Sequence, residues 1–338
     1  MSLKLRSNRL LALCLAVCAG THDVMSRAST SLPASAQDYP VHPVHIIEPF
    51  GSGGGPDLLA RALAPKLSEL WGQPVTVENH PGAGATLGPA MVAKAPADGY
   101  TLLINTSAQA YSAAVSKNLS YDPLKDFIPV ASLTSQPYVL VAGKAVGITT
   151  IRGLIAAAKA KPGELKFGST GAGTGTHLGM VKFNLAAGIK ALDVPPQPSD
   201  AIGDVLAATI EGRITYMMAP ISITLTAIRD GKLFPLGVTT MRRSTLLPHV
   251  PTIAEAGVRG FDFPIWYGIW VPAGTPSRVV DKLSQDIAHT LAAKDLHDWV
   301  AKHGGEPMRM TQPEFARFVK SESESASRLI KAAGSNPY

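Results

Sequence analysis

A short β-rich run that ends in small residues and opens a helix recurs along this chain, and that rhythm admits few folds. Val44-His45-Ile46-Ile47 leads into Gly51-Ser52-Gly53-Gly54-Gly55-Pro56-Asp57, and apolar residues at 59, 62, 63, 67 and 70 then predict a helix from Leu58 to Leu70. The unit returns where Val75-Thr76-Val77-Glu78 precedes Gly82-Ala83-Gly84 and where Tyr100 to Ile104 precede Asn105-Thr106-Ser107. It returns again where Leu165-Lys166-Phe167 precede Gly168-Ser169-Thr170-Gly171-Ala172-Gly173-Thr174-Gly175. Strands alternating with helices predict an α/β fold of mostly parallel sheets, with ligands at the C-terminal ends of strands. The 338 residues, 46% of them hydrophobic, suffice for two cores at ~150 residues per domain.

Two stretches break the rhythm. Pro129 to Gly143 holds two extended runs around Gln136-Pro137 with no helix between them, and Phe263 to Pro272 is a further extended, aromatic run. Read as crossings between two lobes, they give a discontinuous lobe I of residues 37–130 and 268–338 and a continuous lobe II of 131–267. From Ser277 to Ala333 the pattern is helical, and Thr311-Gln312-Pro313-Glu314 marks a helix start.

The first 36 residues form an address. Lys4, Arg6 and Arg9 precede an apolar run from Leu10 to Ala19, and Ala34-Ser35-Ala36 offers a cleavage site, as in a signal peptide of residues 1–36. Ten apolar residues are too few to span a bilayer. A lipoprotein anchor at Cys18 is the alternative, disfavoured because Val17 stands where a small residue belongs. Both cysteines, Cys14 and Cys18, fall in this segment, so export leaves a chain without disulfides, thiolate metal sites or a cysteine nucleophile. Outside it, 27 basic residues face 24 acidic ones, a balance that provides no electrostatic footprint for nucleic acid.

The glycine loops were tested against the chemistry each could serve. Residues 51–57 lack the Lys-Ser/Thr pair of a nucleotide-phosphate loop. Gly82 to Gly88 resembles a dinucleotide fingerprint, but the next strand ends in Asn105-Thr106 where a ribose-binding carboxylate is required, so no cofactor is expected. Ser52 and Ser169 have Phe50 and Phe167 at the position where a nucleophile elbow needs glycine, and no catalytic residue is assigned. The nine histidines include no pair at metal-ligand spacing supported by a carboxylate, so no metal is expected. What remains is binding. A loop of small residues at a helix start presents backbone N–H groups and the positive end of a helix dipole to an anion such as a carboxylate. Tight turns account for either loop alone; two such loops, one per lobe, favour a ligand held between them.

Several blocks, in order, resemble a known family. They are Pro49-Phe50-Gly51-Ser52-Gly53-Gly54-Gly55-Pro56-Asp57, Glu78-Asn79-His80-Pro81-Gly82-Ala83-Gly84, Ala97-Asp98-Gly99-Tyr100-Thr101-Leu102-Leu103, Leu247 to Gly257, and Pro272-Ala273-Gly274-Thr275-Pro276. The chain from about Tyr39 onward is similar to the Bug receptors, the extracytoplasmic solute-binding proteins of tripartite tricarboxylate transporters. The resemblance implies a two-lobed periplasmic binding protein of Venus flytrap, type II-like architecture, with mixed, mostly parallel sheets flanked by helices. It implies a periplasmic monomer, not an enzyme, that captures a small organic carboxylate, aromatic ones included, for membrane permease subunits. A receptor presenting its ligand to a membrane sensor is one alternative; a secreted hydrolase acting in the cleft is another.

Carried onto this sequence, the ligand-binding set is Gly51, Ser52, Gly53, Gly54, Asp57, Thr106, Ser107, Ser169, Thr170, Thr174, Thr176, His177 and Pro220. Asp57 has two readings: it complements the dipole of its own helix, or it orients the glycine amides toward the ligand. His177 either touches ligand or bonds its own loop. Trp266, Tyr267 and Trp270 are assigned to hinge packing, the alternative being cleft walls that would favour a ring-containing ligand. One departure from the family pattern is Val194-Pro195-Pro196-Gln197-Pro198-Ser199-Asp200-Ala201, which lacks the family's usual tyrosine. With the apolar strand Tyr216 to Ile221, it points to a less polar ligand.

Overall fold

The computed structural model describes residues 39–115, 119–194 and 202–334. The expected signal peptide, the Cys18 alternative and residues 195–201 of the departing segment lie outside them. The chain runs β1 (Val44–Glu48), α1 (Gly55–Trp71), β2 (Val75–Asn79), α2 (Leu87–Val92), β3 (Thr101–Thr106) and α3 (Ala108–Val115). Two consecutive strands follow, β4 (Phe127–Gln136) and β5 (Tyr138–Gly143), then α4 (Ile151–Ala160), β6 (Lys166–Gly168), α5 (Gly175–Ala187) and β7 (Leu192–Val194). Next come α6 (Ile202–Ile210), β8 (Tyr216–Pro220), α7 (Ile221–Arg229) and β9 (Leu233–Val238). The chain then returns through β10 (Ile265–Pro272) to α8 (Ser277–Ala292), α9 (Lys294–Lys302), β11 (Glu306–Pro307) and α10 (Gln312–Ala332).

The strands make two sheets, ordered β11-β4-β10-β3-β1-β2 and β7-β6-β8-β5-β9. Among the named strands, parallel pairs join β1 with β2 and β3, and β6 with β7 and β8. These are the strands joined by helical crossovers, as parallel neighbours require. The strands that cross between sheets pair antiparallel: β10 with β3 and β4, and β5 with β8 and β9. The sheets are therefore evenly mixed, a correction to the mostly parallel expectation, because β4 passes to β5 through Pro137 alone with no helix to reverse the chain.

Residues 131–136 and 265–267, expected in lobe II, are ladder residues of β4 and β10 in the first sheet. Pro137 has no N–H to continue the β4 ladder, and it is there that the chain changes sheet. The return runs over residues 239–264.

Alternation along β10 sorts its side chains onto two faces. Trp266 turns toward α10, where its ring meets Phe315 edge-on at 5.9 Å and Phe318 at 5.1 Å, while Trp270 lies 5.5 Å from Phe315. Trp266 Nε1 also donates to Glu322 Oε2 at 3.0 Å. The helix that closes this cluster begins where the sequence indicates. Thr311 is its N-cap in a reciprocal capping box with Glu314, and Pro313 sits in the first turn. The short strand β11, inside the stretch read as wholly helical, pairs with the edge of β4. Phe315 is fully buried, so Phe315→Ala is expected to cost ~3–5 kcal/mol. Urea denaturation should show the midpoint falling with the slope unchanged.

Candidate functional site

A cavity of about 210 Å³ is lined from both sheets. One wall is the loop between β1 and α1, Phe50 to Pro56, with Thr106 at the end of β3. Facing it are Thr170 and Thr174 to Thr176 at the start of α5, with Ile202, Gly203, Pro220 and Ile223. Tyr138, Ile265 and Tyr267 from the crossing strands complete the lining.

The first loop is held from behind. Asp57, 1% exposed, accepts from the Gly53 N–H at 2.8 Å, from Asn79 Nδ2 at 2.9 Å and from Arg61 Nε at 2.9 Å. Arg61 in turn donates to Asn79 Oδ1 at 2.8 Å, so one helical turn and the end of β2 clamp the loop together. Glu48, at the end of β1, accepts from the Phe50 N–H at 3.0 Å and from Asn79 Nδ2 at 2.7 Å. Burial alone would raise Asp57, but bonds from Gly53 and Asn79 and the Arg61 charge hold it below the usual carboxylate range. For Glu48 burial wins: it pushes the carboxyl up to about 7 against the bonds from Asn79 and Phe50 and the charge of Arg61, which pull it down.

The second loop is a knot of hydroxyls. Thr176 Oγ1 lies 2.9 Å from both Thr170 Oγ1 and Thr174 Oγ1 and accepts from the Thr170 N–H at 3.0 Å. Thr174 caps α5, accepting from the His177 N–H, while its own hydroxyl donates to the Gly171 carbonyl at 2.7 Å. At each helix start a tyrosine closes in. A Cβ on Gly55 would fall on the Tyr267 hydroxyl, and one on Gly175 on the Tyr138 hydroxyl, both well under 3 Å. Only glycine at the first helical position permits that approach. Gln136 Nε2 donates to the Tyr267 hydroxyl and so aims it. Burial raises the pKa of both tyrosines, keeping both hydroxyls as donors.

No charged side chain lines the cavity among the described residues. Its polarity comes from hydroxyls and from those first-turn amides of α1 and α5 left without intrahelical acceptors, Pro56 having no N–H and the His177 N–H being capped by Thr174. That arrangement suits an anion held by neutral donors. Among the described residues no three His, Asp or Glu side chains gather as for a metal, and no helix is long and apolar enough to cross a membrane.

Of the residues singled out from sequence, Gly51, Ser52, Gly53, Gly54, Thr106, Thr170, Thr174, Thr176 and Pro220 are in the lining. Asp57, Ser107, Ser169 and His177 are not. Asp57 braces the first loop. Ser107 donates its N–H to the Trp266 carbonyl at 2.9 Å and joins β3 to β10. The Ser169 hydroxyl accepts from the Gly171 N–H at 3.3 Å. His177 is turned toward Asp193, its Nε2 3.5 Å from Oδ2, and burial pushes its pKa down to about 4. Gly82 to Gly88 is also outside the lining. Tyr267, assigned to packing, is a cavity wall, because it shares the Ile265 face of β10 while Trp266 takes the other. Tyr138 was missed; its signal was its place directly after Gln136-Pro137, where the chain crosses.

The raised Glu48 couples folding to pH. The native carboxyl keeps its proton up to about 7, whereas an unfolded glutamate loses it near 4.5, so the folded state binds more protons between those values. Stability contributed by this group is present below about pH 4.5 and is lost as pH rises through 7. Asp57 acts oppositely, adding stability above its unfolded pKa that is lost as pH falls through its lowered folded value. Glu48→Gln is therefore expected to flatten the fall in stability between pH 5 and about 7.5, read by urea denaturation across that range. An unchanged profile would place the titration elsewhere.

Known proteins share this architecture. Residues 59–335 match the family described as Tripartite tricarboxylate transporter family receptor, TctC. Protein BugT of Bordetella pertussis (strain Tohama I) is 33% identical over 317 residues, covering 92% of this chain and 95% of BugT. The solved structure of R. palustris Rpa4515 with adipate matches with a TM-score of 0.84 at 32% identity, covering 89% of this chain and 100% of that one. MatC from Rhodopseudomonas palustris with bound malate matches at 0.80 and 30% identity, covering 86% of this chain and 100% of that one. The blocks that resembled Bug receptors in sequence thus coincide with a two-lobed α/β fold built around a cavity between its sheets, and the chain belongs to the receptor family of the tripartite tricarboxylate transporters.

Proposed function

We propose that this chain is a periplasmic receptor that closes two lobes on a small organic carboxylate and delivers it to the permease subunits of a tripartite tricarboxylate-type transporter. The observation that carries the reading is the cavity between the first turns of α1 and α5, lined among the described residues by no charged side chain, each helix start met by a tyrosine hydroxyl donor. The adipate and malate held by relatives of the same fold support a carboxylate ligand.

The lobes pivot about Pro137 and the 239–264 connection, the first loop travelling with one sheet and the threonine knot with the other. A carboxylate reached by both sets of donors stabilises the closed arrangement, so its affinity equals those contacts less the cost of closure. Neutral donors hold an anion without an ion pair to break, which suits a carrier that must release its cargo. Binding without turnover fits the same residues. Ser52 Oγ has the Asp57 carboxylate at 3.4 Å rather than an imidazole base, and His177 is outside the cavity lining. The receptor acts as a monomer.

Purified protein should rise in melting temperature with a carboxylate from a panel of aliphatic and aromatic acids, ligand at 100 times Kd contributing ~2.7 kcal/mol. Gly175→Ala, which drives a Cβ into the Tyr138 hydroxyl, should weaken the hit at least ~10-fold in calorimetry while the far-UV spectrum is preserved. A panel with no shift would refute the carboxylate reading.

A further inference from the structure

We infer that the ligand is a carboxylate with a hydrocarbon body, aliphatic or aryl, and that the site discriminates against the hydroxy and amino acids of the same skeleton. This rests on the carboxylate reading above and specifies the part of the ligand beyond the carboxylate.

The part of a ligand beyond its carboxylate meets only what the cavity has left to give. Its donors are directed at an anion, but its side-chain acceptors are few. Among the described residues the lining holds no Asp, Glu, Asn, Gln or His. The threonine hydroxyls are turned on one another and on the Gly171 carbonyl. Thr106 Oγ1 already accepts the Ala108 N–H at 3.0 Å, and the Tyr267 hydroxyl accepts from Gln136. The Ser52 hydroxyl is turned to Asp57 Oδ2 at 3.4 Å and the Tyr138 hydroxyl lies over Gly175; among the described residues the other side chains of the wall, Phe50, Pro56, Ile202, Pro220, Ile223 and Ile265, are apolar.

An ammonium group enclosed here would lack a counter-charge, because the carboxylates nearest the first loop, Glu48 and Asp57, lie behind it and are bonded to Asn79. A ligand hydroxyl would exchange water for an apolar wall, the case in which a buried polar group goes unsatisfied. A methylene chain or ring loses nothing on entering and gains dispersion contacts with the isoleucines and Phe50. A cavity of about 210 Å³ accommodates such a body.

Calorimetry on the purified protein with matched acids tests this directly. Succinate, malate and aspartate share a four-carbon skeleton and differ at one carbon; adipate and 2-aminoadipate repeat the comparison with a longer chain, and benzoate and hexanoate sample the aryl and monocarboxylate cases. At least one hydrocarbon-bodied acid should bind, each such acid at least ~10-fold tighter than its hydroxy or amino counterpart. Ile223→Gln, which adds a polar side chain to the wall, should narrow the succinate-to-malate ratio several-fold. Malate or aspartate binding as tightly as succinate, or 2-aminoadipate as tightly as adipate, would overturn the inference and leave the carboxylate reading standing. Binding by none of the acids would overturn both.

Discussion

The close approach of a tyrosine hydroxyl to the first turn of a helix, made once in each half of the molecule, is the contact on which the cleft depends. Gly55 and Gly175 allow it because neither has a Cβ to keep Tyr267 and Tyr138 away. Each tyrosine stands on a strand at the crossing between sheets, so the crossing and the donors of the cavity are one piece of structure. Tyr267 is oriented through Gln136 at the end of β4, and the Tyr138 N–H donates to Thr239 Oγ1 at 2.9 Å, so the strand ends that set the pivot also set the hydroxyls.

Behind that contact, the charged side chains among the described residues stay out of the cavity lining. The carboxylates nearest the first loop are committed to it from behind: Asp57 to the Gly53 amide and to Arg61, and Glu48 to the Phe50 amide. The loop they shape presents amides and a dipole in front. Asp57 is turned to the Gly53 amide and Arg61 rather than to the cavity, so a carboxylate that would repel an anion is not in its lining. Glu48 carries the cost of the arrangement, since a carboxyl buried among neutral partners is held in its protonated form up to about pH 7.

Much of the fold was legible because its signals are local. The glycine turns, the amphipathic helix after Pro56, the extended runs on either side of Pro137 and the capping box at Thr311 all follow from spacing and residue type within a few positions. The site was legible as two loops, and their residues line the cavity. What escaped was long-range. Tyr267 reads from sequence as hinge packing because it is flanked by Trp266 and, three residues on, Trp270. Only the pleat of β10 against α10 decides that Trp266 is core and Tyr267 is wall. His177 and Ser169 have the right residue type in the right loop, yet the knot of Thr170, Thr174 and Thr176 occupies the side toward the cavity and leaves His177 facing Asp193.

The sequence by itself determined the order of strands and helices, the two small-residue loops and the family, because backbone preferences and motif blocks are written in contiguous residues. The tertiary structure alone decided the even mixture of parallel and antiparallel pairing, the placement of 131–136 and 265–267 in the first sheet, and the two tyrosines over the two glycines. The physical reason is that strand direction and side-chain facing are settled by partners far away in the chain. Tyr267 and Gly55 are over two hundred positions apart, and no local pattern encodes their meeting.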